Sequence, residues 1–186
     1  MKITKLDINL NRQINLFERK YSSEDRILFE ELHDYIVRNK SIQGIDIEIP
    51  PMDFTGDIGY FVNKEKKYKY KGGINFLYGE DGGILNIGNT NDLYLRIYQK
   101  WIGKNGGSRA DYYFSDYYRG VSLFCEESDY KRKLYEPYLI NKLQPPLNDQ
   151  YNYYNKSLYK ELLKKEELAS PSNHYMGFGY KSPNDY

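Results

Sequence analysis

The chain has 186 residues and a formal net charge of +1, from 27 Lys and Arg against 26 Asp and Glu, so it is no polycation and any affinity for nucleic acid must come from local clustering. A single cysteine, Cys125, excludes an internal disulfide, and two histidines far apart in sequence, His33 and His174, argue against a zinc site. No run approaches the ~18 consecutive apolar residues of a membrane helix, and Met1-Lys2-Ile3-Thr4 lacks the apolar core of an export signal, so a cytoplasmic protein is expected.

This length accommodates one domain with a proper core, or a small domain with substantial extensions. Leu6, Ile8 and Leu10 alternate with polar residues and suggest a strand. Ser22-Ser23-Glu24-Asp25 resembles a helix start, and Leu28, Leu32, Tyr35 and Ile36 give an apolar stripe reaching roughly to Asn39. Ile45, Ile47 and Ile49 alternate with Asp46 and Glu48, a second strand pattern that Pro50-Pro51 ends. The first fifty residues thus read as a small β-α-β extension. Packing on the core explains it more simply than partner binding or DNA orientation, since no chemical motif occurs there.

From Lys64 to Lys71 bases and aromatics interleave, with Lys66, Lys67, Lys69 and Lys71 around Tyr68 and Tyr70. Such a segment suits a nucleic-acid backbone, because lysines neutralise phosphates while tyrosines stack on bases. A solvated edge strand guarded by lysines would carry the same pattern, and both readings stand. The frequency of tyrosine, 22 residues, is explained as simply by coding bias as by stacking.

The short apolar runs Ile74–Tyr78 and Ile84–Ile87 flank Glu80-Asp81-Gly82-Gly83, which supplies the positive φ a tight hairpin needs. Thr90-Asn91-Asp92 then offers a helix N-cap, and Leu93, Ile97 and Trp101 recur at helical spacing, so Arg96 projects from a helix beside the hairpin. Residues 103–109 form a glycine-rich connection carrying Lys104 and Arg109, without phosphate-loop spacing. Val121, Leu123 and Cys125 alternate with Ser122 and Phe124 as a third strand, and with no histidine nearby in sequence Cys125 reads as a buried, inert thiol. Ser128 to Leu143 supplies a helical cover, broken or re-initiated at Pro137. Leu158, Leu162 and Leu163 line one face of a further amphipathic helix, opposite Lys160, Glu161, Lys164 and Lys165. Residues 170–186 read as a mobile tail, with Tyr175, Met176 and Phe178 available to dock on a partner.

Gly73-Ile74-Asn75 and Asn86-Ile87-Gly88 on the two hairpin strands, the run Thr90, Leu93, Arg96, and downstream Glu136, Leu139-Ile140, Pro145 and Asn148 together resemble the GIY-YIG nuclease superfamily. The resemblance spans about Gly73 to Asn148. It implies a small α+β (mixed α/β) core over residues 64–150 with a three-stranded sheet flanked by helices. An N-terminal extension would cover residues 1–63, and a helix with a tail residues 151–186. Both signature tyrosines of the family are asparagine here, Asn75 and Asn86.

By the same resemblance the chain is expected to be a Mg²⁺- or Mn²⁺-dependent endonuclease acting on DNA, double-stranded rather than single-stranded. Glu136 would be the metal ligand and Arg96 the clamp on the phosphate. Asn148 would hold either the carboxylate or a local turn. Asn75 and Asn86 would line the same groove, and Lys66, Lys67, Lys69, Lys71, Lys100, Lys104 and Arg109 would contact DNA. An asparagine amide has no useful pKa and cannot be the general base, though it can orient a water. Proton removal would then fall to the metal, the substrate phosphate, Tyr78, Tyr98 or Lys100. The competing expectation is a catalytically degenerate domain of the same kind that binds DNA or serves as a subunit of a nuclease system.

Overall fold

A computed structural model describes residues 23–102, 114–152, 160–161 and 164–165. Among these the elements run α1 (Ser23–Arg38), β1 (Phe54–Asp57), α2 (Ile58–Lys64), β2 (Gly73–Tyr78), β3 (Ile84–Thr90), α3 (Leu93–Ile102), β4 (Gly120–Cys125) and α4 (Asp129–Leu143). The fold is α+β. Its sheet is antiparallel throughout, in the order β1-β4-β2-β3, so β2 is interior and β3 an edge.

The sheet is buried on both faces, and its register decides which residues meet which helices. Ile74 lies opposite Phe124 and Asn89, and Phe76 opposite Ile87 and Ser122. On this face Ile74, Phe76, Ile87 and Phe124 form one core with Leu32 and Ile36 of α1 and Leu134, Tyr135 and Ile140 of α4. The alternate residues face the other way. Leu77, Val121 and Leu123 pack there with Ile58 and Phe61 of α2 and Leu93 and Ile97 of α3. Interior strands covered on both sides carry apolar residues on both faces rather than in clean alternation, as Ile74–Tyr78 and Val121–Cys125 do apart from Asn75 and Ser122.

Local chemistry sets the element ends. Asp57 caps α2 by accepting from the Tyr60 N–H at 2.7 Å, Asp92 caps α3 by accepting from the Leu95 N–H at 2.9 Å, and Ser128 caps α4 by accepting from the Lys131 N–H. The hairpin closes through Gly79 N–H to Gly83 C=O at 2.9 Å, with Gly82 at φ +77° supplying the left-handed position.

Several expectations are corrected. The sheet has four strands, not three: Phe54–Asp57 pairs with β4, from Phe54 opposite Leu123 to Asp57 opposite Gly120. Four residues that include a glycine and an aspartate give no apolar run from which a strand could be read. The expected strand at Ile45–Ile49 is absent. Ile45 and Ile47 are buried beside α1 and α4, but the Ile47 N–H donates to Tyr138 Oη at 3.3 Å, and that hydroxyl donates to Asp46 Oδ1 at 3.2 Å. The alternation reported one buried face, which an extended segment satisfied by a side chain has as much as a strand does.

Helix α4 also runs unbroken through Pro137, which is buried within it. Proline removes one helical hydrogen bond, and burial of Leu134, Tyr135, Tyr138 and Ile140 on either side offsets that loss. Lys160, Glu161, Lys164 and Lys165 are helical and exposed. The strand expected at Leu6–Leu10, the cap at Ser22, the apolar face at Leu158, Leu162 and Leu163, and the tail from residue 170 lie outside the described residues.

Candidate functional site

The free edge of β3 is where the chemically capable residues gather. An uncovered edge strand presents unpaired N–H and C=O groups, and here four of them, on Leu85, Ile87 and Asn89, are met by residues that follow the sheet in the chain. The Leu147 N–H donates to the Leu85 carbonyl at 2.9 Å. The side chain of Asn148 then acts as a short stand-in for a strand, accepting from the Ile87 N–H at 2.8 Å and donating through Nδ2 to the Ile87 carbonyl at 2.8 Å. Asn86 Nδ2 adds bonds to Asn148 Oδ1 at 3.3 Å and to the Leu147 carbonyl at 3.2 Å. Asn148→Ala would strand two buried backbone groups of Ile87, at about 1–3 kcal/mol each before relaxation. A loss of about 2–3 kcal/mol in urea unfolding is expected, and a loss under about 0.5 kcal/mol would refute the edge-sealing role.

Glu136 completes the edge. The Asn89 N–H donates to its Oε1 at 3.1 Å and Asn89 Nδ2 to its Oε2 at 2.7 Å, so one residue of β3 fixes both carboxylate oxygens of α4. Burial pushes the Glu136 carboxyl above its ordinary range, opposed in turn by the two Asn89 bonds and by the charges of Arg96 and Lys100. The two cations stand four residues apart on α3 and so share a face of that helix. Arg96 is half-buried and Lys100 is buried at 7 % exposure.

The spacing of α3 from α4 is itself braced. The Arg132 guanidinium, 4 % exposed, donates to the Glu126 and Glu127 carbonyls at 2.6 and 2.8 Å and to Asn91 Oδ1 in the connection leading into α3. Arg96, Lys100, Asn89 and Glu136 are therefore held by connected parts of one scaffold.

A buried carboxyl with a raised pKa binds protons more tightly folded than unfolded. Its stabilising contribution is complete below the unfolded value of about 4.3 and is lost as pH rises through the higher folded value. Wild-type stability is thus expected to fall, relative to Glu136→Gln, as pH is raised from about 4, measured by urea unfolding. Parallel pH profiles would contradict it.

The remaining predicted positions are placed as follows. Asn75 is wholly buried, bonds the Gly88 carbonyl through Nδ2 at 2.8 Å, and has no partner at Oδ1. Asn86 is 6 % exposed. Neither lines an open groove, because the sheet face they occupy is covered by α2 and α3. Lys66, Lys67, Lys69 and Lys71 are exposed on a 3₁₀ turn, Lys66–Tyr68, and the loop that follows it into β2. No edge strand exists there, so the guarded-edge reading is removed. Lys104 and Arg109 lie outside the described residues.

Tyr78 and Tyr98 are half-buried. Cys125 is partly buried, with its thiol pushed up to about 12 by burial and then by Asp53, in keeping with an inert role. Sequence reasoning missed Asn89 altogether. The only signal was its place two residues beyond Ile87 on the same strand face, which points to Glu136 only once α4 is known to cross that edge.

Among the described residues no three His, Cys, Asp or Glu side chains come together, so the hard-oxygen donor on offer at this site is the single carboxylate of Glu136. After the Asn89 bonds each oxygen keeps further acceptor capacity. That suits one-point anchoring of Mg²⁺ or Mn²⁺, whose remaining positions are taken by water and phosphate. No protein-family model matches this sequence, and no curated protein or solved structure matches it significantly.

Proposed function

We propose that the chain is a divergent GIY-YIG-type endonuclease that hydrolyses DNA phosphodiester bonds with a divalent metal held by Glu136. The observation that carries this reading is a buried carboxyl, Glu136, held through both oxygens by Asn89 and acted on by the positive charges of Arg96 and Lys100 from a different helix. Phosphodiester hydrolysis needs positive charge on the phosphorane oxygens, an in-line water and neutralisation of the leaving oxygen. Arg96 offers a planar, permanently charged fork to the phosphate oxygens. Lys100 adds a second positive charge on the same face of α3. Asn89 keeps the carboxylate ionisable and in one orientation by donating to both oxygens. A bound Mg²⁺ or Mn²⁺ would supply Lewis-acid stabilisation of the scissile phosphate and leaving oxygen.

A specific observation favours a second reading. Both signature positions carry amides that are buried and turned to backbone carbonyls. Neither takes a proton, so proton removal falls to the metal, the substrate phosphate, Tyr78, Tyr98 or Lys100. If none of these serves, the domain binds DNA without cutting it. Plasmid cleavage with Mg²⁺ or Mn²⁺, run beside Glu136→Ala, separates the two. Nicked or linear product from wild type alone supports the endonuclease, whereas bound but intact plasmid in both supports the binding module.

A further inference from the structure

Tyr70 is the most exposed large apolar residue described, at 87 %, against 55 % for Tyr60, which comes next. Its backbone sits at φ +61°, a left-handed conformation that glycine adopts freely and tyrosine does not. A residue that is both strained and projecting contributes nothing visible to the core, and such positions cluster at ligand-contacting sites. The turn that presents it is rigid. The Lys69 N–H bonds the Lys66 carbonyl at 3.1 Å and the Lys71 N–H bonds the Tyr68 carbonyl at 3.3 Å, while the Lys71 carbonyl accepts from the Leu93 N–H of α3 at 2.9 Å. Beneath the turn Tyr68 is buried and donates to the Asp53 carbonyl at 3.1 Å.

The lysines around Tyr70 are positioned as well. Lys71 Nζ lies 5.7 Å from the centre of the Tyr68 ring, Lys67 Nζ 5.2 Å from the same ring, and Lys69 Nζ 5.2 Å from the Tyr94 ring of α3. Of these lysines, Lys67 alone pairs with a carboxylate among the described residues, Glu65 at 3.0 Å. An exposed aromatic whose two chain neighbours, Lys69 and Lys71, are cations held over adjacent rings fits a ligand with a flat ring next to an anion. An apolar protein groove would not tolerate the lysines, and a phosphate alone would not need the ring.

We propose that Tyr70 is a stacking platform for an unpaired base of DNA, with Lys69 and Lys71 on the flanking phosphates. A base inside a duplex already has both faces stacked, so this ring engages only single-stranded, frayed or extruded nucleotides. The choice of DNA rests on the function proposed above; the geometry of the platform does not.

The test is fluorescence anisotropy on the full chain in EDTA at fixed salt, with labelled oligo(dT) of about 12 nucleotides and a blunt duplex of the same length. The variants are Tyr70→Gly and Tyr70→Trp. Wild type should bind oligo(dT), Tyr70→Gly should bind it about 5- to 100-fold more weakly, and Tyr70→Trp should match wild type or exceed it. Duplex affinity should change by less than about twofold in both, since phosphate contacts by the lysines carry it. Tyr70→Gly relieves the left-handed strain, so its Tm should equal or exceed that of wild type, which excludes unfolding as the cause of lost binding.

Equal oligo(dT) binding by wild type and Tyr70→Gly would overturn the platform, as would equal weakening on the duplex. If Tyr70→Gly loses oligo(dT) while wild type leaves plasmid intact in Mg²⁺, the platform stands and the endonuclease reading falls. If Tyr70→Gly binds oligo(dT) like wild type and wild type cuts, only the platform falls.

Discussion

Glu136→Ala and Arg96→Ala are each expected to lower metal-dependent plasmid cleavage by about 10³-fold or more, to the level of the uncatalysed blank. Among the described residues Glu136 presents a carboxylate at the β3 edge with both oxygens oriented by Asn89, and in the proposed site a neighbouring amide could not replace it as a metal anchor. Arg96 shares its helix face with Lys100, so Arg96→Ala leaves a cation in place. A lysine is a point charge on a flexible stem, however, and does not reproduce a planar fork across two phosphate oxygens. Arg96→Lys should therefore recover little, although the net charge is restored.

Because a missing general base alone slows a reaction by about 10²–10⁴-fold, single-turnover assays over long times are the right measurement. Thermal unfolding of each variant is needed alongside, since Glu136→Ala leaves the Asn89 N–H without its acceptor, at about 1–2 kcal/mol. Wild-type cleavage that persists unchanged in folded Glu136→Ala would remove Glu136 from the chemistry and the endonuclease reading with it.

How far the sequence foretold this arrangement depends on whether the determinant was local. The hairpin, α3 and α4 were legible because turn glycines, capping residues and apolar period all lie within a few residues of each other. Gly73 was legible as a signature, but its physical reason was not. A side chain there would strike the Phe124 carbonyl on β4 and come within 2.6 Å of Leu93 Cδ1 on α3. Only the pairing of β2 with β4, which sets Gly73 opposite Cys125, creates that constraint.

Strand β1 was illegible because its four residues carry no period, and residues 45–49 were misread because a period of two reports a buried face rather than a ladder. The lysine segment was ambiguous for a similar reason. Interleaved bases and aromatics describe composition, and whether they form an edge strand or a turn is decided by where β2 sits in the sheet. The Asn89–Glu136 pairing lies furthest from the sequence, since it needs the edge position of β3 and the crossing of α4 together. Asn148 was singled out by the resemblance, but its pairing with the Ile87 backbone became visible only with the edge itself.

Asn75→Tyr, which places there the residue that the GIY-YIG resemblance implies, is expected to damage the fold rather than revive chemistry, by about 2–6 kcal/mol. Asn75 is at 0 % exposure, opposite Gly88 on one neighbouring strand and Leu123 on the other. A tyrosine adds a ring at a fully buried position on the sheet face packed against α2 and α3. It also removes the Nδ2 donor from the Gly88 carbonyl. Overpacking of this kind costs about 1–3 kcal/mol and an orphaned buried carbonyl about 1–3 more.

The unpartnered Asn75 Oδ1 works in the other direction. It already pays a desolvation cost, so Asn75→Ser, which is smaller and relieves that atom, should cost less than Asn75→Tyr. Urea unfolding of the two variants measures the order directly, and a tyrosine variant as stable as wild type would mean that the β2 face opens toward α3 more readily than its packing implies. Such a stable variant that also gained cleavage over wild type would identify position 75 as the site of the missing base. Loss of stability with no gain leaves the asparagine as a structural residue of the sheet, and assigns any catalysis by this chain to the edge of β3.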